Sequence, residues 1–354
     1  MNMSAAVTPR IRVGILGATG SVGQKFVTLL HDHPWFEVTA VAASDQSAGR
    51  PYASAAHWMQ PEPLPEHIGR MTVQPCVPEL ACRIVFSGLD ASVAGEIETA
   101  FARAGYLVVS NARNHRMDPD VPLLIPEVNP DHLRLLQHQA FDGGGIVTNP
   151  NCSTTGLVLA LKPLRDAFGL EAVQVVTMQA ISGAGYPGVA SQDILDNVIP
   201  YIAGEEDKLE REPRKILGTY TGHLVDELPL TVSAQCNRVA VQDGHLECVS
   251  VRLRRPATRD DIIASWEGFR AEPQHEQLPT APLRPLYYFD EPRYPQPKLH
   301  RGLERGMAVS IGRLQPCPIL DWKFVVLSHN TIRGAAGGAI LNAELLVRQG
   351  WVRS

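Results

Sequence analysis

With 354 residues, 44% of them hydrophobic and 19% charged, the chain is long enough for two domains and a large buried core. A formal net charge of −5 leaves no broad basic face of the kind that nucleic acid or an anionic membrane needs, so small molecules or other protein chains are the expected partners. No apolar run approaches the roughly 20 residues of a membrane span, and MNMSAAVTPR at the N-terminus lacks the apolar core of a signal peptide, so the expected setting is cytoplasmic.

The first predicted elements lie in IRVGILGATGSVGQKFVTLL, which passes from a β-branched run through three glycines into a helical pattern. Gly17, Gly20 and Gly23 follow G-x-x-G-x-x-G, a variant of the dinucleotide fingerprint in which the backbone approaches a pyrophosphate at a helix start. Thr19, Ser21 and Val22 lie within that loop and are cofactor-binding candidates with it. His31 and His33, with no further ligand nearby, read as a solvated helix end. FEVTAVAAS is the next expected parallel strand, and Asp45 falls near the position of a ribose-reading residue. RIVFSGL and YLVVSNA continue the series, giving a Rossmann-type doubly wound parallel sheet. Ser87, Gly88, Ser110 and Asn111 end those strands, as pocket residues or as ordinary turn chemistry.

In NPNCSTTGLVLALKPL, Pro150 and the capping types Asn151, Ser153 and Thr154 predict a helix starting within a residue or two of Cys152. Unpaired N–H groups and the helix dipole there should make this thiol ionise more easily than a free one; the alternative is a small buried apolar residue. AVQVVTMQAISGAG, LPLTVSAQCNRVAV, HLECVSVRLRR, MAVSIGRL and WKFVVLSHN read as longer strands of a second, mixed or antiparallel sheet. The proline-rich stretches QPEPLPEH and Pro273 to Pro297 read as ordered surface loops, and NTIRGAAGGAILNAELLVRQG as a helix packed on the nucleotide domain. The expected division is a dinucleotide-binding domain at 1–150, completed by a C-terminal helix at 331–354, and an α+β catalytic and dimerisation domain at 151–330.

Arg238 and His245 bracket a Q-D-G turn in CNRVAVQDGHLECVSV, so both can reach one pocket. An arginine binds carboxylate or phosphate bidentately, and a histidine can activate a thiol. Cys76, Cys82, Cys152, Cys236, Cys248 and Cys317 include no C-x-x-C pair, so free thiols and no structural metal are expected.

GATGSVGQ, SNARNHRMDPDVPLLIPEVN, NPNCSTTG, MQAISGAGYPG, NRVAVQDGH and HNTIRGAAGGAILNAE together resemble the aspartate-semialdehyde dehydrogenases of the archaeal and fungal branch. The resemblance implies NADPH-dependent reduction of β-aspartyl phosphate to aspartate semialdehyde and phosphate through a cysteine thioester, reversible as a phosphorylating oxidation. It makes Cys152 the nucleophile, His245 the acid/base and Gln179 the residue orienting the acyl group. Arg238 matches the holder of the substrate carboxylate. Glu205, or equally Glu206 by position, matches the carboxylate that binds the amino group. Lys208, Arg116 and Asn111 match the phosphate-binding positions. Ser182, Gly183 and Gly185 match the loop beside the nicotinamide, and Ser44, Arg50, Ser87, Gly88 and Asn330 complete the implied cofactor set. The second sheet and the alanine-glycine helix near Gly334 to Leu346 would leave apolar surface exposed on a monomer, so a homodimer or a homotetramer built as a dimer of dimers is expected.

Departures are Leu246 after the histidine, Arg113 in SNARNHR, and Asp45-Gln46 where a basic residue would favour NADP; Ser44 and Arg50 can still take a 2′-phosphate, whereas Asp45 suits NAD. Malonyl-CoA reductase, N-acetyl-glutamyl-phosphate reductase and a silent nucleotide-binding homologue remain as alternatives.

Overall fold

The computed structural model describes residues 10–352; residues 1–9, with nearly all of MNMSAAVTPR, and residues 353–354 at the end of the expected last helix lie outside the described residues. The N-terminal part forms a sheet of β1 (Ile11–Leu16), β2 (Phe36–Ala43), β3 (Gln74–Pro75), β4 (Ile84–Ser87), β5 (Leu107–Ser110) and β6 (Gly145–Thr148). Their order is β3-β2-β1-β4-β5-β6 and every pairing is parallel. This is the doubly wound order, whose direction reverses between β1 and β4, and ligands in such sheets bind beyond the strand ends at that reversal.

Three glycines meet there. A Cβ on Gly17, whose φ is +72°, would lie 2.8 Å from the Gly88 carbonyl oxygen, and one on Gly23 would lie 2.2 Å from that of Gly17. The strand-to-helix turn therefore closes only without side chains at these positions.

After β6 the helix Cys152–Phe168 leads into the second sheet. This contains β7 (Leu170–Gln179), and, past a small hairpin of β8 (Thr219–Tyr220) and β9 (Val225–Asp226), β10 (Thr231–Arg238), β11 (His245–Leu253), β12 (Leu286–Phe289), β13 (Val309–Pro316) and β14 (Trp322–Ser328). The order is β10-β7-β11-β14-β13-β12, antiparallel from β7 to β13, with parallel edge strands β10 and β12. Leu157, Leu161 and Leu164 of the Cys152 helix are buried with Val175, Val249 and Val326 on one face of this sheet. The opposite face carries Gln235, Cys248 and Arg252, all exposed, so the period-two pattern is realised with one face buried.

The C-terminal helix Gly337–Arg348 returns to the first sheet, where Ile340, Leu341, Leu345 and Leu346 share a core with Phe26, Phe36 and Phe86. Two expectations are corrected here. Pro273 to Pro297 is not only surface loop: Leu286–Phe289 forms edge strand β12, with Leu286 fully buried, because one short β-forming run sits among the prolines. His33 is not a solvated helix end: it is buried, its Nε2 stands 2.8 Å from Glu344 Oε1, and its Nδ1 accepts the N–H groups of Trp35 and Phe36.

Candidate active site

Strand register assembles the centre. Gln179 pairs with Arg238 at the ends of parallel β7 and β10, while antiparallel β11 begins at His245, beside Leu246 opposite Met178. The Cys152 helix starts against them, capped by Asn151, whose Oδ1 accepts from Ser153 N at 3.0 Å and Thr154 N at 3.4 Å. Cys152 Sγ and His245 Nε2 are 3.1 Å apart. The other ring nitrogen, His245 Nδ1, accepts the Ala180 N–H at 3.0 Å.

Glu205 lies opposite, on the helix Glu205–Ile216. It accepts Asn151 Nδ2 at 2.8 Å, Gln179 Nε2 at 3.2 Å and Lys208 Nζ at 2.5 Å. Burial pushes its carboxyl up, but the Lys208 ammonium and these hydrogen bonds outweigh it and hold the group below the usual carboxylate range. Glu206 instead accepts the Cys236 N–H of β10 at 3.1 Å, so only Glu205 stands with the thiol. Arg238 is buried, and its Nη1 donates to the Ala180 carbonyl at 2.7 Å. A Cβ on Gly183 would come within 2.9 Å of Arg238 Nη1 and 3.2 Å of His245 Nε2, so this loop lies on both side chains only as glycine. Asn330 clamps the loop, donating to Ser182 Oγ at 2.8 Å and accepting the Gly244 N–H at 2.8 Å; Gly185 turns out of it with φ +72°.

Arg116 and Asn111 are largely engaged within the protein. Arg116 donates to Glu212 Oε1 at 2.9 Å and to the Asn111 carbonyl at 2.8 Å; its Nε has no partner among the described residues. Asn111 donates to the Ser87 carbonyl at 3.2 Å and accepts from Asn149 at 3.0 Å. Arg113 is exposed, its Nη1 3.9 Å from where a Cβ on Gly204 would lie, at the start of the Glu205 helix. Leu246 lies on the opposite face of β11 from His245, which removes it from the cluster.

At the first sheet the helix Ser21–Leu30 has Gly20 as N-cap with no side-chain cap, so the first-turn N–H groups of Ser21 and Val22, beside half-buried Thr19, are left for an anion. Ser44, Asp45 and Arg50 are exposed beyond β2, with Arg50 bonded to the Ser54 carbonyl. Ser87 and Ser110 are fully buried, and Ser110 Oγ donates to Glu98 at 2.7 Å, so neither hydroxyl faces the strand-end crevice; half-buried Gly88 does lie at the turn.

The expected easy ionisation of Cys152 is corrected. Burial first, and then Glu205, push the thiol up to about 12 against the pull of Arg116, Lys208 and Arg238. Desolvation of the thiolate opposes the effect of the helix start.

Sequence reasoning missed Glu212, whose Oε2 accepts the Asn151 N–H at 2.8 Å while its Oε1 holds Arg116. Its spacing of two helical turns from Glu205 was the available signal. Glu247 was also missed. Two residues beyond His245 on the same face of β11, it is fully buried, and neither carboxylate oxygen has a partner among the described residues. Burial pushes its pKa well above the carboxylate range. An acid whose folded pKa is raised contributes stability below its unfolded pKa and loses it as pH rises. Glu247→Gln is therefore expected to match the parent in acid and to unfold at higher temperature than the parent above about pH 5. Thermal denaturation across pH checks this; a difference independent of pH refutes it.

Residues 12–136 match the semialdehyde dehydrogenase NAD binding domain family, and residues 161–333 match the semialdehyde dehydrogenase dimerisation domain family. The aspartate-semialdehyde dehydrogenase of Schizosaccharomyces pombe is 51% identical over 96% of this chain and 98% of its own length; that of Archaeoglobus fulgidus is 46% identical over 96% and 99%. The chain belongs to the aspartate-semialdehyde dehydrogenase family. Among solved members of the family, the Candida albicans aspartate semialdehyde dehydrogenase with NADP superposes with a TM-score of 0.90 at 46% identity, covering 97% of this chain and 100% of that one. The Vibrio cholerae aspartate semialdehyde dehydrogenase II complexed with ASA gives 0.78 at 26% identity, with the same coverage. Among the described residues no helix is long and apolar enough to cross a membrane, and no group of three or more His, Cys, Asp or Glu is placed to hold a metal ion.

Proposed function

We propose that the chain interconverts β-aspartyl phosphate and aspartate semialdehyde, with NADP as redox cofactor and an acyl-enzyme on Cys152. The observation that carries this reading is the 3.1 Å Cys152–His245 contact, set among Gln179, Arg238 and the Glu205–Lys208 pair. The sulfur attacks the acyl carbon, the bond to the phosphate oxygen breaks, and a thioester forms. A thioester accepts hydride more readily than a carboxylate, which is the chemical use of a thiol here. Gln179 orients the acyl group, Arg238 grips the α-carboxylate and Glu205 takes the ammonium. Lys208, Arg116 through its free Nε, and Asn111 stand for the phosphate. The zwitterionic end of the substrate thus meets one cation and one anion, which favours an aspartyl over a malonyl group. An N-acetylated substrate would lack the ammonium that Glu205 matches, and a silent homologue would have no use for the Cys152–His245 contact.

The glycine turn of Gly17, Gly20 and Gly23, with Ser21, Val22 and Gly88, suits a pyrophosphate, and the Ser182–Gly185 loop with Asn330 suits the nicotinamide end. When bound, the nicotinamide supplies the hydride. Ser44 and Arg50 are the groups for a 2′-phosphate, with Asp45 the one feature favouring NAD. A cytoplasmic setting accords with six free thiols. The division at residue 150, with the last helix returning to the first unit, is part of the same reading.

The test is a spectrophotometric assay with aspartate semialdehyde, phosphate and NADP, repeated with CoA in place of phosphate and with NAD in place of NADP. Reduction of NADP that requires phosphate is the expected result. Equal or faster reduction with CoA would move the assignment to an acyl-CoA reductase.

Assembly follows from the open face of the second sheet, where Leu246, Cys248, Ser250, Tyr294, Arg313 and Lys323 line a groove of about 580 Å³. A second copy of the chain is the occupant, giving a homodimer or a dimer of dimers. Light scattering is expected to give a multiple of the 38.6 kDa chain mass. A concentration-independent monomer mass refutes it.

A further inference from the structure

We infer that Glu212 sets how tightly the site holds phosphate: its buried carboxylate neutralises Arg116, one of the two cations of the phosphate subsite, and so keeps the anion exchangeable. The inference deepens the proposed aspartyl-phosphate reading and rests on it for the place of the phosphate. Glu212 is a positioning residue, acting through its charge and through Arg116.

The helix Glu205–Ile216 presents two carboxylates, Glu205 and Glu212, two turns apart on one face. Each divides its oxygens in the same way. Glu205 accepts Asn151 Nδ2 at 2.8 Å through Oε2 and Lys208 Nζ at 2.5 Å through Oε1. Glu212 accepts the Asn151 N–H at 2.8 Å through Oε2 and Arg116 Nη1 at 2.9 Å through Oε1. One oxygen of each therefore holds the residue that caps the Cys152 helix, and the other holds a cation assigned to the phosphate. The two cations and two carboxylates sum to no net charge, so a phosphate dianion meets a compensated site rather than a doubly positive one.

The two carboxylates differ in what else they can meet. Glu205 is assigned to the substrate ammonium, whereas Glu212 is 2% exposed and both its oxygens are taken within the protein. Arg116, in turn, does not depend on Glu212 alone for its place. Its Nη2 donates to the Asn111 carbonyl at 2.8 Å, and its own carbonyl accepts Lys215 Nζ at 2.9 Å. With these two holds intact, removing the Glu212 charge leaves the guanidinium in place and abolishes the repulsion between carboxylate and phosphate. In a buried site that repulsion outweighs the loss of one hydrogen bond to the guanidinium. If Glu212 only propped the helix start, the opposite would follow: its loss would loosen the site and weaken every ligand.

The experiment compares the parent with Glu212→Gln, Glu212→Met and Glu212→Asp as full chains loaded with NADP, each titrated calorimetrically with inorganic phosphate. Both neutral variants are expected to bind phosphate roughly tenfold more tightly than the parent. Aspartate, which keeps the charge on a side chain one methylene shorter, is expected to stay within about threefold of the parent. Steady-state kinetics in the phosphate-dependent direction should show the same fall in the KM for phosphate with little change in the KM for aspartate semialdehyde, a split that a loosened helix start would not produce. Methionine sets no amide hydrogens against Arg116 Nη1 or the Asn151 N–H, so it carries the test should the glutamine variant fail to fold. Phosphate affinity that is unchanged or weakened in a folded neutral variant overturns the proposal, as does equal tightening by aspartate. The titration needs no turnover, so it can fail while the phosphate-dependent dehydrogenase assay succeeds, or hold while that assay fails.

Discussion

Cys152→Ser is expected to lose turnover by on the order of a thousandfold or more while binding NADP almost as the parent does. The hydroxyl is smaller than the thiol and needs no new space, so the helix start and its Asn151 cap should persist. What disappears is the nucleophile: a serine hydroxyl is a far poorer attacking group, and the acyl-oxygen ester it would form is a worse hydride acceptor than a thioester. Nucleotide affinity should survive because the glycine turn at Gly17 to Gly23 is built from the first sheet, on a different element from the thiol. The measurements are the phosphate-dependent assay and a calorimetric NADP titration. Substantial turnover in the purified variant would remove Cys152 from the nucleophile's role.

Much of the fold was legible because its signals are local. The strand–glycine–helix order at residues 11–30 and the alternation along β11 each depend on a dozen residues or fewer, and both recur in the structure. The six-motif resemblance extended that reading across nearly the whole chain. Properties set by distant partners were not legible. His33 is satisfied by Glu344, 311 residues away, so no neighbouring residue could reveal that it is buried. Glu205 and Glu206 are indistinguishable by position, yet adjacent helical residues point about 100° apart, and the packing of β10 sends only Glu205 to the thiol. The Cys152 thiol is a similar case: the helix start is where the sequence puts it, but ionisation also depends on the groups that distant segments bring to the sulfur, with burial and Glu205 pushing it up and Arg116, Lys208 and Arg238 pulling it down. Lys215 shows the reverse case of a charged residue recruited inward. Its Nζ donates to the carbonyls of Arg116, Asp118 and Val121 at 2.9, 2.7 and 2.8 Å, tying down the loop that carries Arg116.

Arg238→Lys and His245→Asn are expected to separate substrate grip from chemistry. Lysine keeps the charge but loses the planar fork, and with it the simultaneous hold on the Ala180 carbonyl, 2.7 Å from Nη1, and on a substrate carboxylate. Losing such hydrogen bonds to a charged group costs about 1.5–3 kcal/mol, expressed mainly as a raised KM for aspartate semialdehyde. Asparagine at 245 keeps much of the size but loses the imidazole that faces Sγ at 3.1 Å, and with it the proton shuttle. Turnover should then fall by roughly a hundredfold or more with a smaller change in KM. Neither residue belongs to the glycine turn, so both variants should titrate NADP as the parent does. Steady-state kinetics in the phosphate-dependent direction gives the two parameters separately. If the lysine variant lost turnover at an unchanged KM, Arg238 would be acting in the chemical step, and the pairing of Arg238 and Glu205 with the two ends of a zwitterion would lose its main support.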